Sequence, residues 1–157
     1  MRLITRRRLG IFMGVHRLEY RVHCSGVDDL PIIREALHNL VDSDAIIEEK
    51  SERSWHGAPQ TNISIKLKRK AQARLGLSKL GNEVLIALLE GNILDRIDER
   101  NVLHFRLDLA ELCCGNIKIS DVRRREPCVK VQVKLEVYPG QKVDEIAISS
   151  IEKVISD

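Results

Sequence analysis

Residues 95–115, with the sequence DRIDERNVLHFRLDLAELCCG, combine side chains that could bind anions, bind cations or transfer protons. A run of mixed charges opens the segment, and apolar residues then alternate with His104, Arg106 and Asp108. Alternation with a period of two predicts a β-strand with one buried face and one exposed face. The exposed face would present an imidazole, a guanidinium and a carboxylate in a row. We take this polar face as the candidate working surface.

The same alternation occurs in three further segments: HRLEYRVHC at residues 16–24, TNISIKLK at 61–68 and CVKVQVKLEV at 128–137. The outward positions of the four predicted strands carry more cations than anions, although the whole chain has a net charge of only +3. The cations are Arg17, Arg21, Lys66, Lys68, Arg106, Lys130 and Lys134, and the anions are Glu19, Asp108 and Glu136. A local excess of cations is what a phosphate-binding surface requires.

Apolar residues at helical spacing predict helices between and after these strands. One helix should begin just after Asp28 or Asp29, either of which can cap it. Residues 69–91 show a second helical pattern that glycines interrupt, and residues 143–154 show a closing helix. We therefore predict an α+β, two-layer domain. It would have a four-stranded or larger antiparallel or mixed sheet, helices on one face, and the other face open.

Residues 42–60 are mostly polar, and Gly57 and Pro59 predict a loop there. This loop holds Trp55, the single tryptophan of the chain, next to His56. A loop tryptophan could stack on a ligand, but it more often packs back over its own domain. His56 has no cysteine or serine spaced to form a nucleophilic pair with it. We therefore expect Trp55 to pack against the domain and to contribute less to binding than the cations of the sheet.

The length of 157 residues suits one domain that buries roughly 70% of its unfolded surface. We predict a basic N-terminal extension over residues 1–14 and a single α+β domain over residues 15–157. The four cysteines show no C-x-x-C spacing, which argues against a zinc site or a disulfide framework and favours a cytoplasmic location. No apolar run reaches the roughly 18 residues that a membrane span needs. No metal or other cofactor is expected.

Several of these segments carry a resemblance to a known family. The string RIDERNVLHFRLDLAELCCG, the later string KVQVKLEVYPG and the loop WHGAP resemble an archaeal RNA-binding family described as a predicted exosome subunit. The similarity covers Val15 to about Ile155, and Ala58 stands where the family favours asparagine. The matching positions are Arg96, Ile97, Asp98, Glu99, Arg106, Asp108, Gly115, Tyr138, Pro139 and Gly140.

The resemblance implies a fold like that of the ribosomal protein that binds 5S RNA, and it implies RNA binding without catalysis. RNA would be the partner, with an exosome- or ribosome-related complex as the assembly. Arg69 and Lys70 directly follow one cationic strand, so they join the set of expected RNA-binding residues. The full set is Arg17, Arg21, Lys66, Lys68, Arg69, Lys70, Arg106, Lys130 and Lys134.

Two alternatives stay open at the level of the sequence. The open sheet face could pair two copies of the chain in a homodimer, because mixed-charge faces and exposed edges do associate. A metal-dependent nuclease could use Asp95, Asp98 and Asp108, although capping, turns and pairing with Arg96 or Arg106 explain Asp98 and Glu99 equally well. Aromatic residues make up only 3% of the chain, which favours recognition of the backbone or shape of a structured RNA over base stacking.

Overall fold

The computed structural model describes residues 14–42, 45–120 and 127–156. Within these residues the chain forms an antiparallel sheet of five strands in the order β2-β3-β1-β5-β4. The strands are β1 Val15–Ser25, β2 Ile46–Arg53, β3 Pro59–Leu67, β4 Val102–Asp108 and β5 Cys128–Leu135. The predicted α+β class is confirmed, and of the two predicted sheet types the antiparallel one is correct.

The helices cover one face of this sheet. They are α1 Leu30–His38, α2 Lys70–Ser78, α3 Asn82–Glu90, α4 Leu109–Cys113 and α5 Val143–Ser156, with a short 3-10 helix at Ile93–Arg96. Under them lie the buried alternate residues of the strands, among them Leu18, Tyr20, Ile65, Phe105 and Val131. We call the uncovered side of the sheet the open face. Its outward residues include Arg17, Glu19, Arg21, His23, Asn62, Ser64, Lys66, His104, Arg106, Lys130, Gln132 and Lys134.

Local signals in the sequence account for where the helices begin and end. Asp29 caps α1, since its side chain accepts a hydrogen bond from the backbone N–H of Ile32 at 3.4 Å. Gly81 separates α2 from α3 with a φ of +87°, a conformation that side chains disfavour. Gly76 lies inside α2, where a Cβ would come within 2.6 Å of the Leu67 side chain. Its lack of a side chain therefore lets α2 approach the sheet closely.

The strand β2 corrects the sequence prediction, which read residues 42–60 as a polar loop. Residues 46–53 pair with β3 over eight positions, and only residues 54–58 form the connecting loop. β2 is an edge strand on which every residue except Ile47 is exposed. An edge strand exposed on both faces shows no alternation of apolar and polar residues, so the pattern that identifies strands was absent.

Two shorter segments also differ from the predictions. The sequence GNIKIS at residues 115–120 predicts a short strand, but the segment makes only an isolated bridge between Ile119 and Leu107. Backbone bonds from Asp108 to Lys118 and from Ser120 to Arg106 nevertheless hold this segment against the outer edge of β4. The last strand ends at Leu135, two residues before the predicted end at position 137.

Gly14, the last residue of the predicted extension, is the first residue that the structure describes. It is buried, and its backbone forms two hydrogen bonds. Its backbone N–H donates to the buried Ser150 hydroxyl at 3.1 Å, and its carbonyl accepts from the N–H of Glu136 at 2.6 Å. The rest of the predicted extension lies outside the described residues, and so do residues 122–126 of the segment VRRREP, for which the sequence predicts a charged loop. None of the described helices is long and apolar enough to cross a membrane.

Candidate nucleic-acid interface

The register of three neighbouring strands places three cations side by side on the open face. Arg21 of β1 lies opposite Lys130 of β5, and Lys130 lies opposite Arg106 of β4. Neighbouring strands are separated by about 4.8 Å, so this row extends over roughly 10 Å. We call these three residues the Arg21 row. It brings together side chains that lie more than a hundred residues apart in sequence.

A second group of cations lies four residues away along β1. Arg17 lies opposite Lys134 of β5. On the other side of β1, Leu18 lies opposite Leu67 of β3, and Lys68 is the residue after Leu67. Arg17, Lys68 and Lys134 line one depression of about 280 Å³, which confirms that they are near one another. We call them the Arg17 row. At about 3.4 Å per residue, the two rows are roughly 14 Å apart along the strands.

The positions between the rows are mostly polar. Glu19 lies opposite both Lys66 and Gln132, and Gln132 lies opposite His104. The Glu19 carboxylate pairs with the Arg21 guanidinium at 2.9 Å, so one cation of the Arg21 row has a fixed counter-charge. Lys66, on β3, adds a further positive charge between the two rows.

Three of the nine predicted site residues have partners within the described chain. Arg21 pairs with Glu19, Lys70 pairs with Glu136 at 2.6 Å, and Lys134 donates to the backbone carbonyl of Arg100. The hydrogen bond with Glu136 raises the pKa of Lys70. The other six form no ion pair or side-chain hydrogen bond with another described residue. They are Arg17, Lys66, Lys68, Arg69, Arg106 and Lys130.

The two cations that follow β3 serve different roles. Arg69 is exposed at the start of α2 and lines a depression of about 430 Å³ together with Lys66 and Lys68. Lys70 binds Glu136, and the Tyr138 hydroxyl donates to the same carboxylate at 2.5 Å. The structure thus groups Arg69 with the cations of the open face, whereas Lys70 holds the start of α2 to the end of β5.

The edge strand β2 contributes residues to the open face that the sequence reading missed. Glu48 lies opposite Ser64, and Lys50 lies opposite Asn62. Glu52 accepts a hydrogen bond from the Asn62 amide at 2.9 Å. These carboxylates make the β2 side of the open face mixed in charge. The cations are therefore concentrated over β1, β5, β4 and the end of β3.

Asp98 organises the turn that leads into β4. Its carboxylate accepts the backbone N–H groups of Arg100 at 2.8 Å and Val102 at 3.0 Å, and it bonds His104 Nε2 at 2.7 Å. The hydrogen bond with His104, followed by those two backbone bonds, lowers the pKa of Asp98. Asn101 completes the turn with a φ of +61°. Asp98, His104 and Arg106 line a depression of about 440 Å³ that also reaches Lys130.

The carboxylate of Asp108, at the other end of β4, also binds a backbone N–H group. Asp108 caps α4, because its side chain accepts the backbone N–H of Glu111 at 2.9 Å. Across the ranges 14–42, 45–120 and 127–156, no three His, Cys, Asp or Glu side chains come together as a metal site. Asp98 and Asp108 thus have identified structural roles at the two ends of β4.

Trp55 does not pack against the domain, so the sequence prediction for this side chain was wrong. Its exposed fraction is 97%. The sequence indicated that Trp55 lies in a loop, and residues 54–58 do form the connection between β2 and β3. The sequence held no signal for whether another element would cover that loop.

The fold is a two-layer α+β domain with an antiparallel sheet that is uncovered on one face. Residues 17–135 match the model of the RNA-binding family, whose description is RNA binding, and the chain belongs to this family. The expected archaeal RNA-binding resemblance is confirmed at this level. Its exosome link and its likeness to the 5S-RNA-binding ribosomal protein remain predictions.

Solved structures of similar fold come from archaea. Mth689, a DUF54 protein from Methanothermobacter thermautotrophicus, is 25% identical with a TM-score of 0.67, over 90% of this chain and 98% of that chain. Protein AF2318 from Archaeglobus fulgidus, of family DUF54, is 22% identical with a TM-score of 0.70, over 89% and 99%. A UPF0201 protein from Methanococcus jannaschii is 12% identical with a TM-score of 0.57, over 88% and 98%. A comparison with curated proteins gives no match.

The turn at Asp98 should make part of the stability dependent on pH. Asp98→Asn keeps the size of the side chain and removes its charge. We expect it to lower the free energy of unfolding by about 1 kcal/mol near pH 5, a value reduced to allow for screening by solvent. The folded pKa is depressed, so this stabilisation is present above the unfolded value of about 3.9 and is lost as pH falls through the folded value. Urea unfolding at several pH values measures it.

Asp95→Asn is the matched control, because Asp95 is exposed in the neighbouring 3-10 helix. It should change the free energy of unfolding by less than about 0.5 kcal/mol. If the loss of unfolding free energy in Asp98→Asn stayed constant from pH 5 to well below pH 3, the charged carboxylate would not have the stabilising role described above.

Proposed function

We propose that this protein binds RNA without catalysing a reaction and contacts the RNA backbone through the open face. The observation that carries the proposal is the grouping of cations from β1, β5 and β4 in the Arg21 row. Arg106 and Lys130 of this row have no counter-charge among the described residues. Unpaired cations on a flat face are suited to phosphates, because neutralising phosphates releases condensed counterions. The family description supports RNA as the ligand.

The recognised feature of the RNA would be its backbone and shape. The described strand positions on the open face hold no phenylalanine, tyrosine or tryptophan, since Tyr20 and Phe105 point into the core. Sheets that read single strands use aromatic residues on that face to stack bases. A face of cations and amides instead fits phosphates and ribose hydroxyls of a structured RNA. The expected site therefore remains the nine cations predicted from the sequence, with Arg21, Lys70 and Lys134 partly engaged in internal bonds.

We further propose that the protein is a cytoplasmic accessory of RNA processing or degradation machinery. An exosome- or ribosome-related complex would be the assembly that it joins. The support is the resemblance carried by residues 96–99 and 138–140 to the archaeal family described as a predicted exosome subunit. The two-layer fold with an uncovered antiparallel sheet is compatible with the expected likeness to the ribosomal protein that binds 5S RNA. Co-purification of the tagged chain with exosome or ribosome subunits tests this, and purification without either would contradict it.

The absence of catalysis is part of the proposal and can be measured. Asp98 and Asp108 each accept backbone N–H groups, so their carboxylates already have structural roles. We expect the purified protein to leave a labelled RNA intact in Mg²⁺ or Mn²⁺ over hours, as judged by gel electrophoresis. Cleavage that disappears in the Asp98→Asn variant would show instead that the protein is a nuclease.

The role of the open face predicts a large effect of charge removal. Replacing Lys66, Arg106 and Lys130 with glutamine should weaken binding to an RNA hairpin with a single-stranded tail by roughly 50-fold at 0.15 M salt. The slope of log affinity against log salt should become shallower by about 2, at about 0.7 per lost phosphate contact. Fluorescence anisotropy across a salt series measures both values. The fold should persist, because these side chains are outside the core.

The control removes the same number of charges from the helical side. Lys79, Lys142 and Lys153 lie at or near α2 and α5, and their replacement by glutamine should change affinity by less than about threefold. The mass of the open-face variant in solution tests the remaining alternative, in which the open face pairs two copies of the chain. If the open-face variant keeps its RNA affinity and changes its oligomeric state, the open face is a homodimer interface and the RNA site lies elsewhere.

A further inference from the structure

The tip of the β2–β3 hairpin presents a single aromatic side chain on an ordered loop. The backbone N–H of Ser54 donates to the Ala58 carbonyl at 2.7 Å, and the N–H of Gly57 donates to the Ser54 carbonyl at 2.8 Å. The Ser54 hydroxyl accepts the N–H of Ala58 at 3.0 Å. Gly57 adopts a φ of +82°, which closes the turn. These bonds fix the backbone on both sides of Trp55.

The Trp55 side chain buries almost none of its surface against the domain. Its exposed fraction is 97%, the highest among the large hydrophobic residues that the structure describes. Tryptophan is a costly residue to leave in water, and its flat indole suits surfaces that bind partners. An ordered loop that holds an indole in solvent therefore fits binding better than packing.

The hairpin tip lies at the end of the sheet that is nearer to the Arg21 row, whereas the Arg17 row lies at the other end. β3 begins at Pro59, and Gln60 lies opposite Ser25 at the end of β1. A depression of about 710 Å³ on the open face reaches Asn62, close to this end. Its lining includes cations from three strands, Arg21, Lys50 and Lys130. An RNA strand with phosphates on these cations would place its next nucleotides near the hairpin tip.

We propose that Trp55 is a stacking site for one unpaired nucleobase of an RNA whose backbone lies on the open face. This inference rests on the proposed function and adds a ligand of stated class, an unstacked base from a loop, bulge or tail. Base-on-indole stacking tolerates any base, because every base has a π-face. The open face has no phenylalanine, tyrosine or tryptophan among the described strand positions, so the hairpin tip supplies an indole that the sheet lacks.

Because Trp55 is the only tryptophan, intrinsic fluorescence reports on this site alone. The probe is a short RNA hairpin with an unpaired tail, compared with the same hairpin without the tail. We expect the tailed RNA to quench the emission and the blunt hairpin to leave it nearly unchanged. Trp55→Ala should weaken binding of the tailed RNA by about 5- to 150-fold, and Trp55→Phe should restore most of the loss.

Val27→Ala is the matched control, because Val27 is 95% exposed and follows Gly26, where an added Cβ would come within 2.9 Å of the Pro59 side chain at the hairpin base. An aliphatic residue cannot stack, so this variant should bind within about twofold of the original protein. All variants should unfold at the same urea concentration, since neither side chain is in the core.

The outcomes separate this inference from the proposed function. If Trp55→Ala binds the tailed RNA as well as the original protein does, while the open-face variant loses affinity, the stacking site is wrong and backbone binding stands. If the original protein binds neither RNA at low salt, both proposals fail. If Trp55→Ala instead changes the mass of the protein in solution with no loss of RNA affinity, the hairpin tip is a contact between copies of the chain.

Discussion

The register of β1 is the constraint on which the rest of the structure depends. β1 lies in the middle of the sheet and pairs antiparallel with β3 on one side and β5 on the other. Its alternation places Leu18 and Tyr20 under the helices and Arg17 and Arg21 on the open face. A shift of one residue would bury the guanidinium groups and expose the core. Burial of the apolar positions therefore fixes, at the same time, where the cations lie.

The antiparallel pairing extends this order across the sheet. Because Arg21 is opposite Lys130 and Lys130 is opposite Arg106, the core packing of three strands aligns three cations on the other face. The turn held by Asp98 sets where β4 begins and brings His104 beside that row. The edge strand β2 carries carboxylates instead, and the Lys and Glu residues along an edge oppose further strand pairing. Positive charge is thus concentrated over the inner strands and β4, on the open face that we propose binds RNA.

Much of this arrangement follows from local patterns in the sequence, and the rest depends on contacts between distant segments. The alternation around Tyr20 and Val131 predicted strands and their buried faces correctly. The pair Asp28 and Asp29 predicted a helix start, and Asp29 is the residue that caps it. β2 was missed because an edge strand exposed on both faces has no apolar period. The exposure of Trp55 was also missed, because it depends on whether another segment covers the hairpin. The alignment of cations in rows requires the register between strands, which single-strand patterns do not contain.

Lysine footprinting by mass spectrometry is the sharpest test of whether RNA binds the open face, since it compares the two faces of one folded molecule. An acetylating reagent would be applied with and without an excess of a structured RNA at low salt. If the open face binds RNA, Lys66, Lys68 and Lys130 should lose reactivity when the RNA is present. Lys79 and Lys142, at the helical layer, should react equally in both samples. Protection of the helical-layer lysines, with the open-face lysines still reactive, would contradict the assignment of the open face to RNA.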